Sequence, residues 1–214
     1  SFFQLITQYF GPKVMINLVL GKYFRPFEEY RIFMFLDMRD STTIAEQLGT
    51  IQYSHFIQDC FRDFTQVILK YQPEVYQYVG DEVVLTWLPE KGLPDFNCLH
   101  ACFYFNEILA AKEEYYMDEY GVLPTFKAGA HIGRVRVAEI GTVRRDIAYH
   151  GDVMNTTARI QSQCNKLGYM LLISEELWKE LPRKTELFQL NRIDQVDLKG
   201  KELPVNLIGV KMAE

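Results

Sequence analysis

No stretch of this 214-residue chain is apolar for long enough to span a bilayer. No secretory signal opens it either, because the apolar start lacks a basic head and a small-residue cleavage site. An excess of positive charge is also missing. Lys and Arg total 23 against 28 Asp and Glu, a net charge of -5 with a pI of about 5.5, which argues against a general nucleic-acid binder. Cysteine is scarce and scattered (Cys60, Cys98, Cys102, Cys164), a pattern that suits a reducing compartment better than a disulfide framework. The domain is therefore expected in the cytoplasm. There is no internal repeat and no low-complexity segment.

What is present is enough apolar material for one domain with an appendage: 48% hydrophobic, 14% aromatic. Residues 1–28 read as a separate N-terminal segment. Pro12 after Gly11 suits the first turn of a helix through Met15, Leu18 and Val19 to Gly21, with no apolar partner in so short a piece. A docking or dimer-forming helix, or a lead-in from an upstream domain, is the expected use. The abrupt Ser1-Phe2-Phe3 start reads as a piece of something longer, and residues 29–214 form the main domain.

The informative stretch is Glu74 to Trp87, EVYQYVGDEVVLTW. Two β-prone runs flank Gly80-Asp81, which predicts a tight hairpin with its turn at or just before Asp81. Phe33-Met-Phe-Leu-Asp37 is an apolar strand that also ends on a carboxylate, central in its sheet because Ile32 to Leu36 are apolar on both faces. Two strands that each deliver an Asp to one sheet edge make a divalent metal site for phosphate chemistry. Between them, Ser41 or Thr43 caps a helix with Glu46 completing a capping box, and Gly49 stops it. The next helix, 51–70, carries Tyr53, Phe56, Ile57, Cys60, Phe61, Phe64, Val67 and Ile68 at helical spacing as a core stripe.

Further along, Lys91–Pro94 reads as a loop and Asp95–Tyr120 as one long helix ended by Gly121, with solvated last turns from Lys112 to Glu119. Within it Cys98, His100 and Cys102 resemble a metal cluster, but helical spacing turns His100 away from the cysteine face, so core packing is expected. Thr125 to Ile140 alternates on either side of Gly133 and reads as a second hairpin. A helix over 152–166, a strand near Tyr169–Ile173, a short helix capped by Ser174 and a terminal hairpin around Lys199-Gly200-Lys201 follow. Long helices among hairpin-linked strands predict an α+β fold, with helices on one face of a mainly antiparallel sheet.

Within Gly151-Asp152-Val153-Met154-Asn155-Thr156-Thr157-Ala158-Arg159, Val153, Thr157, Ile160 and Cys164 line the inner helix face. Asn155 and Arg159, four apart, project from one side, where an amide and a guanidinium can hold sugar or phosphate oxygens as an anionic transition state forms.

These residues carry a family resemblance. The chain resembles the catalytic domain of class III nucleotidyl cyclases over roughly residues 29–212, most like bacterial members that follow a membrane-anchored or sensory region. The matching segments are FLDMRDST (35–42), YVGDEVV (78–84), GAHIGRVRVAEIG (129–141), GDVMNTTARI (151–160) and LKGK (198–201), in the family's order and spacing. The resemblance implies a palm-like sheet with a ferredoxin-like core that dimerises head to tail, with active sites at the interface. It implies a nucleoside-triphosphate cyclase using two divalent ions, Mg or Mn, and releasing pyrophosphate. Asp37 and Asp81 match the metal carboxylates, with the Met38 carbonyl as an extra ligand. Asn155 matches the ribose-positioning residue, Arg159 the one that stabilises the transition-state phosphate, and Lys199 the polyphosphate lysine, with Lys201 behind it. Arg144 and Arg145 lie near a further phosphate-binding position. The base-reading pair departs from the family pattern: Gln77 and Ala148 stand where adenylyl cyclases commonly carry Lys and Asp or Thr, and guanylyl cyclases Glu and Cys. ATP is the expected substrate, with a GTP- or pyrimidine-specific cyclase, or a weakly active regulatory cyclase-homology domain, as alternatives. A diguanylate cyclase shares Val79-Gly80-Asp81-Glu82-Val83 in part, but only one of its two glycines is here, and the Asn155/Arg159 helix is foreign to it. The general base stays open between Asp37, water and substrate phosphate.

Overall fold

A computed structural model describes residues 26–141, 146–182, 186–198 and 204–213. The expected N-terminal helix lies outside these residues.

The first strand, β1 (Phe27–Met38), is fully buried from Ile32 to Leu36 and lies in mid-sheet. Helix α1 (Ser41–Tyr71) follows, then the hairpin β2 (Glu74–Val79) and β3 (Glu82–Trp87), helix α3 (Asn97–Ala110) after the short turn α2 (Pro89–Gly92), and β4 (Phe126–Ile140). The order β2-β3-β1-β4, antiparallel throughout, is the ferredoxin-like arrangement. The sheet continues through β6 (Leu171–Ser174), β8 (Val205–Met212) and β7 (Phe188–Val196), while β5 (Asp146–His150) pairs with β4. The pair β4–β6 is parallel.

Strand alternation sorts β1 between two cores. Ile32, Met34, Leu36 and Met38 join Phe56, Cys60, Phe64 and Val67 of α1 and the buried face of α3 in the main core. Phe33 and Phe35 face the other way, against Val135, Val137 and Val153. The main helical layer thus covers one face, while α5 (Asp152–Ser162) lies on the opposite face, along β4 and β1. All eight apolar residues expected to form the α1 stripe pack in or against the main core. Cys98 and Cys102 are wholly buried there, whereas His100 stacks on Tyr71 with ring centroids 5.9 Å apart.

Several local expectations are corrected. Gly49 interrupts α1 at φ 74°, ψ 166°, but helix resumes at once. The cap residue is Asp40, in a left-handed conformation and without a side-chain cap bond, not Ser41 or Thr43. The long helix predicted from Asp95 begins only at Asn97, because Asp95 and Phe96 both take positive φ. Pro89 opens a helical turn where a loop was expected from Lys91. The chain breaks again at Lys112 before α4 (Glu113–Tyr120). That break brings Lys112 and Tyr116 to Asp63 of α1, and Tyr115 and Tyr120 to Asp59, so Tyr116 is buried where solvent was predicted. The helix predicted over 152–166 divides at Gln163 into α5 and α6 (Cys164–Leu167). Ser174 does cap α7 (Glu175–Glu180), its hydroxyl accepting from the Leu177 amide. Strands β7 and β8 pair antiparallel, as the terminal hairpin required, although its Lys199–Lys201 turn lies outside the described residues.

The largest correction concerns Gly133. It is no turn: β4 is one strand of 15 residues, and Gly133 pairs with Arg31 in unbroken register. A Cβ there would lie 2.6 Å from Val153 Cγ2, and one at Gly129 would lie 2.3 Å from the Gln161 backbone nitrogen. These glycines mark where α5 presses onto the sheet.

Candidate active site

Asp37 is the penultimate residue of β1 and lies on the α5 face, by alternation with Phe33 and Phe35. Its register partners are Glu82 on β3 and Lys127 on β4. Asp81 stands beside Glu82 in the two-residue turn between Val79 and Glu82, where Gly80 takes φ 62° at the position that favours glycine in a hairpin. Both carboxylates expected to hold metal therefore reach one end of the sheet. The charge of Asp81 is felt at Asp37: burial pushes the Asp37 carboxyl up, Lys127 pulls it down, and Asp81 adds to the rise. Glu82 is pushed up to about 7 by burial, then by Asp37 and Asp81. Tyr53 on α1 is raised to about 12, chiefly by burial, with Asp81 and Asp37 contributing.

Two residues hold Asp37. Gln161 Nε2 donates to Oδ2 at 2.7 Å, and Lys127 Nζ lies 3.3 Å from the same oxygen. Neither these two nor Glu82 was singled out from the sequence. Lys127 opens an alternating strand and reads there as an ordinary edge cation, and its meeting with Asp37 depends on the β1–β4 register. Gln161 left a fainter signal, as a polar residue on the apolar face of α5, where it is 7% exposed.

The remaining predicted residues fall on three elements. The Met38 side chain is core, so any ligand role falls to its carbonyl. Gln77 is exposed on β2, just past a bulge between Val75 and Gln77. Val75 pairs with Leu85 on the main-core face, while Gln77 pairs with Val84 on the α5 face, so the bulge moves Gln77 to the side that carries Asp37. Ala148 is buried in β5, beside Tyr149, whose ring meets Tyr76 and Phe33 at 5.1 and 5.2 Å. Asn155 is exposed and Arg159 half-buried on α5. Arg159 and Gln161 are two positions apart, about 200° around the helix, so the guanidinium projects away from the side that grips Asp37. Among the described residues Arg159 has no ion-pair partner. Arg144, Arg145, Lys199 and Lys201 lie outside the described residues.

The donor set fits a divalent cation of the Mg or Mn kind. Two oxygen-donor carboxylates, one of them met by a lysine, are what such an ion takes from protein when phosphates and water complete its shell. Among the described residues no group of three or more His, Cys, Asp or Glu forms a self-sufficient metal cluster.

The carboxylate pair stands at one end of a ferredoxin-like sheet, and the helix that carries Asn155 and Arg159 packs on the same face as Asp37. The chain belongs to the family described as the adenylate and guanylate cyclase catalytic domain, matched over residues 24–209. It is 31% identical to adenylate cyclase 2 of Rhizobium meliloti (strain 1021) over 196 residues, 92% of this chain and 54% of that protein. It is 27% identical over 184 residues to the adenylate cyclase of Anabaena cylindrica, covering 83% of this chain and 36% of that one. The chain thus spans about half, or less, of these relatives. The structure of a bacterial light-regulated adenylyl cyclase superposes with a TM-score of 0.81 at 19% identity, over 97% of this chain and 60% of the other, a likeness of fold. Among the described residues no helix is long and apolar enough to cross a membrane.

Proposed function

We propose that this chain is the catalytic part of a nucleoside-triphosphate cyclase, forming a 3′,5′-cyclic nucleotide and pyrophosphate, with ATP preferred. One observation carries the reading: the Asp37/Asp81 pair shares one end of the sheet while Arg159, on the helix above it, faces away from that pair. An arginine so placed serves a carboxylate pair on a second copy, and a head-to-tail homodimer supplies that copy.

Asp37, Asp81 and the Met38 carbonyl would hold the divalent ions. Such ions, when bound, acidify the ribose 3′-hydroxyl and stabilise charge on the phosphates. Lys127 offsets the charge of Asp37 before any cation arrives. Asn155 of the facing copy orients the ribose. Arg159 offsets charge developing on the α-phosphate, a contribution of about 100-fold or more for one preorganised group. Lys199, with Lys201 and Arg144, binds the polyphosphate. Gln77 offers a donor and an acceptor to the base edge, and Ala148 shapes the pocket without a polar group. The preference for adenine rests on this neutral amide and on the adenylate cyclases among the relatives. Regulation by an upstream membrane or sensory domain belongs to the same proposal.

Incubation with ATP, GTP, CTP and UTP in turn, with Mn2+, tests the reading. Release of pyrophosphate with 3′,5′-cyclic AMP as the main product is expected. Absence of any cyclic nucleotide from a folded, dimeric sample would overturn it.

A further inference from the structure

Gln161 reaches from α5 to the metal-side carboxylate Asp37 of its own chain. It is 7% exposed, and its amide donates to Asp37 Oδ2 at 2.7 Å. Lys127 meets the same oxygen at 3.3 Å, so both contacts converge on Oδ2. The backbone that carries Gln161 is itself fixed. Gly129 lets the helix settle so closely that a Cβ there would stand 2.3 Å from the Gln161 nitrogen and 2.6 Å from its Cα. Val153, eight residues earlier, lies over Gly133, where an added Cβ would stand 2.6 Å from the tip of its side chain. Eight helical residues rise about 12 Å and four strand residues span about 13 Å, so α5 lies along β4 and is seated at both ends.

We infer that Gln161 is a positioning residue that aims Asp37 for metal binding within its own chain. Helix α5 then serves two catalytic centres at once: Asn155 and Arg159 face outward to one, and Gln161 points inward to the carboxylates of the other. This inference rests on the composite-site reading given above. A neutral amide suits the task, because it restrains one carboxylate oxygen without cancelling the charge that attracts the cation. Lys127 alone, a flexible point charge, would leave the carboxylate free to turn.

Gln161→Met keeps the volume and removes the donor. With a wild-type circular dichroism spectrum confirming its fold, the variant is expected to bind Mn2+ about tenfold more weakly than wild type without nucleotide, read by electron paramagnetic resonance of free Mn2+. Gln161→Asn, an amide one methylene too short, should behave alike and serves if the Met variant does not fold. A chain-specific arm separates aiming of Asp37 from a general loosening of α5. In a heterodimer of Arg159→Ala and Asp81→Ala chains, one intact centre draws its carboxylates from the first chain and its arginine from the second. Adding Gln161→Met to the first chain should lower activity several-fold more than adding it to the second. Wild-type Mn2+ affinity in a folded variant, or a larger loss from the arginine-supplying chain, overturns the inference. A wild-type protein that neither binds Mn2+ nor forms cyclic nucleotide overturns the underlying reading instead.

Discussion

Replacing Gly129 by Ala tests whether α5 is seated on the sheet as closely as the two glycines of β4 require. The added Cβ would lie 2.3 Å from the Gln161 nitrogen and 2.6 Å from its Cα, both backbone atoms that no rotamer change can clear. Ordinary contact needs about 3.5 Å, so the helix must lift by about 1 Å at that end. The Gln161–Asp37 hydrogen bond, 2.7 Å long, then opens past the distance at which it counts as a bond. Overpacking of this kind costs about 1–3 kcal/mol, and the lost bond about 1 more. A total of about 3 kcal/mol corresponds to a fall in Tm of roughly 6–12 °C for a domain of this size. Gly133→Ala is the internal control, because its Cβ would meet only the tip of Val153 at 2.6 Å, with the next atom at 3.8 Å. Its cost should be nearer 1 kcal/mol. Thermal melts by circular dichroism read both. A Gly129→Ala protein no less stable than Gly133→Ala would refute the seating argument.

Asp37→Ala and Asp81→Ala should each abolish turnover while keeping the fold, and near-normal activity of either at saturating Mn2+ would count against the metal assignment. Gln77→Ala should shrink an ATP-over-GTP preference of about tenfold, the worth of one neutral hydrogen bond, more than it lowers the maximal rate, as kcat/KM for the two nucleotides will show. Glu82→Gln concerns pH. Folding raises the Glu82 carboxyl from 4.5 to about 7, so the folded state favours its protonated form, and the penalty for its charge grows between those two values as pH rises. The variant should therefore be more stable than wild type at pH 8, by on the order of 1 kcal/mol once partial exposure is discounted, and little different at pH 4. Equal gains at both pH values would show that the effect is not electrostatic.

The legible parts of the chain are those where one short pattern carries the whole signal. The β2–β3 turn was written in Gly80-Asp81 between two β-prone runs, and the central place of β1 in five consecutive apolar residues. The α1 stripe followed from helical spacing alone. What escaped were features made by elements distant in sequence. A glycine within an alternating run looks the same whether it turns the chain or admits a helix, and at Gly133 only the approach of Val153 decides. The meeting of Asp37 with Lys127 and Gln161 spans 90 and 124 residues, and it depends on strand register and helix seating that no local pattern encodes. The bulge after Val75, which brings Gln77 to the face of Asp37, is likewise a one-residue slip invisible in composition. Asp95 and Phe96 broke a predicted helix because both adopt positive φ, which Asp tolerates better than most residues and Phe rarely takes.

The most direct measurement is complementation between two inactive proteins. Asp81→Ala lacks a metal carboxylate, and Arg159→Ala lacks the arginine. If each centre is built from two copies, a mixed dimer holds one intact centre and one carrying both lesions. Random exchange makes half the dimers mixed, each with half its centres intact, so activity should return to about one quarter of wild type. Recovery of that size after verified subunit exchange is the predicted result. Two separately inactive proteins that stay inactive when mixed would contradict it and place the carboxylates and the arginine in a single chain.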